Sequence, residues 1–377
     1  MHVLHVTTGL NMGGAEAMLQ RLVMHSRAEH TIVSLTTVGR RGEELRAAGK
    51  RVLALGMSGL RIPLAIFRLN RLVGRIRPDV IKSWMYHGDL AAALANPRGT
   101  PPVVWGVHNA NLDTANVKRT TQIAARICAR LSHIVPARIV FDSRAAADVH
   151  VAIGYDARKA EIIPNGFDTA AWYPRPDARV KIRRELALPD DALLVGLVAR
   201  FHPMKDHRTF LEAAVRIRRE YPQTQFILCG GVGIEQSNLP LTSMIDDLGL
   251  RSAVHILGRR DDLPTMVASL DISVSSSLSE SFPLAVGESM AAGVPCVVTD
   301  VGDSAYLLGE QGAVVPPRDP GALAAACVAM LRRPLEERLA VGQRERDRIK
   351  RRFSIDSTVR AYEELFERTV ASALGER

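Results

Sequence analysis

The chain has 377 residues, 47% of them hydrophobic and 24% charged, and a net charge of +9. A length beyond what one core usually holds points to two domains, and the ordinary composition excludes a disordered, low-complexity or fibrous chain. The apolar run ALAAACVAML (322–331) falls well short of the roughly 18 residues needed to cross a bilayer, so no membrane-spanning segment is expected.

From the N-terminus, hydrophobic runs of strand length alternate with helical periodicity. MHVLHVTTGL enters a strand at once with no basic leader, which reads as a cytoplasmic protein rather than one with a signal peptide. Strands are predicted at HVLHVTT (2–8), HTIVSLTT (30–37), RVLAL (51–55), DVIKSWM (79–85), PPVVWGV (101–107) and ARIVFDS (137–143), with helices near 15–27, 63–76 and 117–131. Runs apolar on both faces imply a parallel sheet covered by helices on each side, a doubly wound α/β layout. EIIPNGFDTAAWYPRPD (161–177), rich in proline and turn residues, reads as a linker around 165–178. The alternation then restarts at LLVGLVAR (193–200), QFILCG (225–230), AVHIL (253–257), LDISVSS (270–276) and PCVVTD (295–300). One architecture occurring twice predicts domains over 1–166 and 167–352, a closing helix over 353–377 that packs back toward the first, and a ligand cleft between the halves.

Residues 1–166 hold 22 Lys and Arg against 11 Asp and Glu, whereas residues 167–377 hold 27 against 29, so the basicity belongs to the first half. Such asymmetry suggests an anionic partner: membrane headgroups, a phosphorylated acceptor or nucleic acid. Cys128, Cys229, Cys296 and Cys327 sit singly inside apolar segments without C-x-x-C spacing, which suits reduced core thiols.

In open parallel sheets ligands gather at the carboxyl ends of strands, so the loops there hold the chemical candidates. GLNMGGAEA (9–17) follows the first strand, and Gly13 and Gly14 would let backbone N–H groups approach an anion at a helix start. A plain tight turn fits the glycine pair equally well. ARFHPMKDHRTF (199–210) puts Arg200 and Lys205 on a loop leading into a helix near Asp206, where two cations beside a helix N-terminus suit a diphosphate; a solvated basic loop is the alternative.

In SLSESFPLAVGESMAAGVP (277–295), Glu280 lies behind a buried strand, and Pro283 suits the first turn of a helix carrying Glu288. No lysine or arginine occurs between Arg260 and Arg318, and the i±3 and i±4 neighbours of Glu288 are Leu284, Ala285, Ala291 and Ala292. Carboxylates among small apolar residues need hydrogen-bond donors, which sugar hydroxyls would supply. Simple exposure at a helix start is the plain alternative.

Glu280 to Glu288, in E-S-F-P-L-A-V-G-E-S-M-A-A-G-V-P, resembles the E-x7-E motif of glycosyltransferase family 4, a group of retaining enzymes with the GT-B fold of two Rossmann-like domains facing across a cleft. GGAE (13–16), the strand-end His108, IPNGFD (163–168) with Asn165, Arg200 with Lys205, the glycines of CGGVG and the LG of HILGR occur in that family's order. The resemblance implies that Arg200 and Lys205 bind the diphosphate of a nucleotide sugar and stabilise the leaving group. It implies further that Glu280, with Ser281, Phe282, Pro283 and Leu284 around it, hydrogen-bonds the donor sugar, and that Glu288 holds the ribose hydroxyls. Gly230, Gly231, Leu257 and Gly258 would border the base, Gly13 and Gly14 would approach phosphates or acceptor, and His108 would contact the transferring sugar. The acceptor would be a saccharide or lipid-linked glycan, and the reaction a same-face displacement assisted by the leaving phosphate, in polysaccharide or cell-envelope assembly. Two residues depart from the family pattern, Gly287 for a bulkier apolar residue and Pro283 for glycine, and both are expected to reshape the sugar pocket.

The chain contains no D-x-D and no metal-ligand spacing, so no metal and no separate cofactor are expected, with Arg200, Lys205 and the helix end neutralising the leaving group. RIPLAIFRLNRLVGRIR (61–77) sets Ile62, Ile66, Leu69, Val73 and Ile76 at helical spacing with Arg68, Arg71 and Arg75 elsewhere on the wheel, and Lys118, Arg119, Arg126 and Arg130 mark a second basic helix. Both suit an anionic membrane surface, and both suit a core stripe with a solvated back. A sugar-nucleotide epimerase of the same build is the nearest alternative enzyme. A non-enzymatic basic module for membrane or nucleic acid leaves Glu280 and Glu288 unexplained, and with aromatics at 5% no nucleic-acid partner is expected.

Overall fold

The computed structural model describes residues 1–11, 13–112 and 117–375; Met12 of the glycine loop lies outside the described residues. Internal packing divides the chain into two units, one formed by Met1–Gly166 with Ile355–Arg377 and the other by Phe167–Ser354. By sequence the first unit holds 25 basic and 16 acidic side chains and the second 24 of each, so the first carries the whole charge of +9.

The first unit runs β1 (His2–Thr7), α1 (Gly14–His25), β2 (Glu29–Ser34), α2 (Gly39–Ala47), β3 (Arg51–Ala54), α3 (Ile62–Ile76), β4 (Val80–Trp84), α4 (Met85–Ala95), β5 (Val103–Val107), α5 (Arg119–Leu131), β6 (Arg138–Phe141), α6 (Arg144–Ala152) and β7 (Ala160–Ile162). Its parallel sheet has the order β3-β2-β1-β4-β5-β6-β7. The second unit runs α7 (Ala178–Glu185), β8 (Leu194–Val198), α8 (His207–Glu220), β9 (Gln225–Cys229), α9 (Leu239–Asp247), β10 (Val254–Gly258), α10 (Leu263–Ala268), β11 (Ile272–Ser275), α11 (Leu284–Ala291), β12 (Cys296–Thr299), α12 (Ser304–Leu308), β13 (Ala313–Val315), α13 (Pro320–Leu331) and α14 (Leu335–Arg352). Its parallel sheet is ordered β10-β9-β8-β11-β12-β13. The closing helix α15 (Ile355–Leu374) belongs to the first unit, where Tyr362, Leu365 and Phe366 pack with Val3, Leu19 and Leu22.

Every residue of β4 and β5 is buried, as expected of strands covered on both faces. Burial extends to charge: the ammonium of Lys82 donates to Ser83 O at 2.8 Å and lies 4.5 Å from the Trp84 ring. Gly106 makes this possible, because a Cβ there would overlap the Lys82 side chain. Burial holds the Lys82 amine well below its usual range and the neighbouring Asp89 carboxyl above its own.

The three-residue strands β7 and β13 have no counterpart among the predicted strands; each is the outermost strand of its sheet. Pro283 stands at the N-cap of α11, one position ahead of the predicted first turn. On α3, Leu69 and Val73 are buried as the periodicity requires, but Ile62 is exposed, and so are Leu64 and Phe67. All four cysteines are buried and reduced.

Candidate active site

Both sheets share one topological feature. In the second, β8 is followed by β9 and β10 on one side, and the chain then returns to place β11 on the other; in the first, β1 stands in the same relation to β2 and β4. At such a reversal the two strand-end loops diverge and leave a crevice at the carboxyl edge, where open α/β sheets place ligands.

At the second unit's reversal the loops after β8 and β11 are tied together. Ser276 Oγ donates to Lys205 O at 2.9 Å, and Leu278 N donates to Met204 O at 2.8 Å. This fastening carries Lys205 to Glu280, with which it forms a hydrogen-bonded ion pair, and Ser277 Oγ donates to the same carboxylate at 2.6 Å. The expectation of two acids without a cation is therefore corrected for Glu280. Its partner comes from 75 residues away, so a search of neighbouring sequence missed it. Glu288 is half-buried on α11, four residues after its first residue.

The helix end behind Lys205 also differs from expectation. Asp206, at φ 44°, caps α8 with its own carboxylate, accepting from Thr209 N at 3.2 Å and Thr209 Oγ1 at 2.6 Å. A helix start closed by its own acid offers little to a second anion. The α11 start, by contrast, has no side-chain cap and no acidic residue in its first turn. Around it Phe282 and Pro283 are buried, Leu284 is partly buried, and Ser281 O accepts from Asp303 N at 3.0 Å.

The glycines after β9 and β10 differ in necessity. Gly230 has φ 156°, and a Cβ there would overlap Ala199 O, so the backbone of the β8 loop can approach only because residue 230 is glycine. Gly258 has φ 61°, and its carbonyl accepts from Gly230 N at 2.9 Å. Gly231 faces open space and Leu257 packs partly into the core, so neither is dictated by the fold in this way. Gly287 proves to be a core requirement: a side chain there would overlap the Phe167 ring, which stacks on Phe282 at 6.3 Å.

In the first unit the corresponding edge carries rings rather than ion pairs. His108, after β5, is buried, stacked on Trp84 at 5.1 Å, and its Nδ1 lies 3.6 Å from Asp142 Oδ2 at the end of β6. Among the described residues neither ring nitrogen has a hydrogen-bond partner. Asn165, after β7, donates to the same Asp142 oxygen at 3.4 Å. Trp84 in turn donates from Nε1 to His5 Nδ1 at 3.1 Å, which leaves His5 Nε2 to donate to His30 Nδ1 at 2.9 Å. Burial above all keeps His5 well below the usual imidazole range and lowers His30 to about 4, so this chain of rings is neutral. Gly13 and Gly14 begin α1, but the Glu16 carboxylate folds back over Gly13, occupying the side a Cβ would take. Burial raises the Glu16 pKa. Glu16 and Asp142 escaped the sequence reading; the signal for Asp142 was its place at the end of a strand beside the one that bears His108.

Among the described residues no three His, Cys, Asp or Glu side chains gather as metal ligands, and no helix is long and apolar enough to cross a membrane.

A sequence model described as Glycosyltransferase Family 4 matches residues 12–171, and one described as Glycosyl transferases group 1 matches residues 192–333. The chain is 28% identical over 329 residues to EpsF of Bacillus subtilis, which carries a glycosyltransferase assignment; the match covers 79% of each chain. It is 25% identical over 269 residues to UDP-Gal:alpha-D-GlcNAc-diphosphoundecaprenol alpha-1,3-galactosyltransferase of Escherichia coli, covering 69% of this chain and 67% of that one. Among solved structures, Anabaena HepE in complex with UDP and glucose superposes with a TM-score of 0.86 at 21% identity, over 97% of this chain and 99% of that one. Two parallel-sheet α/β domains of this kind are those of the GT-B sugar-transferring enzymes. The chain belongs to the family 4 glycosyltransferases, and it is an enzyme that transfers a sugar.

Proposed function

We propose that the enzyme moves a sugar from a nucleotide-diphosphate donor to a saccharide or lipid-linked acceptor, with retention at the anomeric carbon, in polysaccharide or cell-envelope glycan synthesis. The observation that carries this reading is the meeting of Lys205, Glu280 and Ser277 at the second sheet's reversal. A cation beside a carboxylate at one strand edge suits a ligand with a diphosphate at one end and hydroxyls at the other. Arg200 and Lys205 take the diphosphate, Glu280 accepts from hydroxyls of the donor sugar, and Glu288 holds the ribose. Gly230, Gly231, Leu257 and Gly258 border the base.

As the bond to the anomeric carbon breaks, charge grows on the departing phosphate. Lys205 and Arg200 stabilise it together with the N–H groups at the uncapped start of α11, without a metal ion. The acceptor hydroxyl attacks from the face the phosphate leaves, and its proton passes to that phosphate. His108, stacked on Trp84 beside Asp142, is assigned to the transferring sugar, and Asn165, Gly13 and Gly14 to donor or acceptor. Galactosyl transfer to a diphosphoundecaprenol-linked sugar by the E. coli relative supports a lipid-linked acceptor.

The first unit meets such an acceptor at the inner membrane face. Ile62, Leu64 and Phe67 of α3 and Ile123 and Ile127 of α5 are exposed among Arg68, Arg71, Arg119, Arg126 and Arg130, the pairing of apolar and basic side chains that an anionic leaflet attracts. Incubation with UDP-, GDP- and ADP-sugars and a lipid-linked saccharide tests the reading. A product whose new linkage keeps the donor's anomeric configuration, formed in EDTA, is expected. Inversion, or donor turnover to an epimer without acceptor, contradicts it.

A further inference from the structure

The opposite edge of the second sheet, where β11 and β12 begin, carries a concentration of positive charge that sugar transfer does not use. Asp271, just ahead of β11, is buried and saturated: it accepts from Arg179 at 2.6 Å, Arg183 at 2.8 Å, Arg338 at 3.0 Å and Leu194 N at 2.9 Å. Three guanidinium groups thus share one carboxylate. Arg183 is used up structurally, donating to Ala192 O and Ser269 O as well. Arg179 is not, since among the described residues Asp271 is its only side-chain partner and a quarter of its side chain is open to solvent. Arg338 is nine-tenths buried and its Nη1 donates to Leu331 O at 3.3 Å and Arg333 O at 2.7 Å, but among the described residues its Nε, like that of the nearby Arg175, has no hydrogen-bond partner.

These side chains line a pocket of about 380 Å³. Arg175, Arg179 and Arg338 supply its charge, and Leu270, Val294 and Leu339 are among its apolar walls. Leu339 stands 56% exposed beside it. Surplus buried cations favour an anion, and the walls favour hydrocarbon over water. The strands separate the two edges, so this pocket is distinct from the loops that hold Lys205 and Glu280.

We infer that this pocket binds a small amphiphilic organic anion, a phosphate or carboxylate head on an apolar body, with Arg179 and Arg338 on the head and Leu270, Val294 and Leu339 around the body. The pocket lies wholly within the second unit, and the inference stands apart from the donor and acceptor roles above.

The test is calorimetric titration of the full-length protein with 1-naphthyl phosphate, 1-naphthoate and neutral 1-naphthol. Saturable one-to-one binding of either anion is expected, with 1-naphthol weaker. Arg179→Gln removes a charge-assisted hydrogen bond and is expected to weaken the anion about tenfold. Leu339→Glu, an exposed substitution that leaves every Asp271 bond in place, is expected to weaken it similarly, and Lys205→Ala is expected to leave it unchanged. The inference fails if neither anion binds. It fails also if 1-naphthol binds as tightly as the anions, or if Lys205→Ala abolishes binding while Arg179→Gln and Leu339→Glu do not.

Discussion

The two units share a sheet order through six strands, yet the carboxyl edges of their sheets are built from opposite materials. The second brings a lysine and a glutamate together across 75 residues and fastens their loops with Ser276. The first stacks His108 on Trp84, which leads to the buried, neutral imidazoles of His5 and His30, and carries exposed arginines on α3 and α5. The same backbone plan therefore holds an ion pair at one edge and stacked rings at the other. Fold alone does not distinguish the two; the side chains at the strand ends do.

The largest effect that sharpens this contrast is expected at the ion pair. Glu280→Gln should lower kcat by about a hundredfold or more, the scale of losing one transition-state contact, measured with whichever donor is turned over. Trp84→Leu removes the ring on which His108 stacks, and a smaller fall, about tenfold, is expected there because the histidine remains and only its orientation relaxes. Equal losses at the two positions would erase the proposed division of labour.

Next comes packing. Gly287→Ala drives a methyl into the Phe167 ring, and a destabilisation of about 1–3 kcal/mol is expected from overpacking, read as a fall in Tm. Asp206→Ala, which uncaps α8, should cost about 1 kcal/mol.

The units also differ in their response to pH. His30 is held at about 4 in the folded chain against 6.5 when free, so below pH 6.5 the unfolded chain binds the extra proton and stability falls as pH drops from 6.5 toward 4. Glu345, buried in the second unit and accepting from Cys296 N at 3.2 Å, is raised by burial to about 8 from 4.5. Its folded carboxyl keeps a proton that the unfolded chain gives up, so this contribution is lost as pH climbs from 4.5 to 8. His30→Gln should flatten the acid limb of a plot of Tm against pH, and Glu345→Gln the limb above it. The smallest effect is the membrane contact: flotation of the protein with anionic vesicles should exceed that with neutral ones and fall on Phe67→Ser.

Much of the plan was legible in the sequence. Apolar runs announced the long inner strands, because a strand covered on both faces has no polar side; position after a strand singled out Gly13, Gly14, Arg200, Lys205 and Glu280, and the family resemblance supplied His108, Asn165 and the glycines after β9 and β10. The ion pair was invisible because it depends on which loops the sheet order brings together, not on spacing along the chain. The same holds for Asp142 beside His108. Glu16 and Asp206 look like ordinary first-turn acids; only the folded loops show one lying over Gly13 and the other closing the α8 start. Gly287, expected to reshape a sugar pocket, is required instead by a phenylalanine 120 positions earlier in the chain.

The most direct test is calorimetric affinity for UDP, GDP and ADP in the unaltered enzyme, in Lys205→Ala and in Glu280→Gln. A cation that grips the diphosphate and a carboxylate that addresses the sugar require the nucleotide that binds to weaken by about tenfold or more in Lys205→Ala, with Glu280→Gln binding it at least as well as the unaltered enzyme. Unchanged affinity in Lys205→Ala contradicts the account.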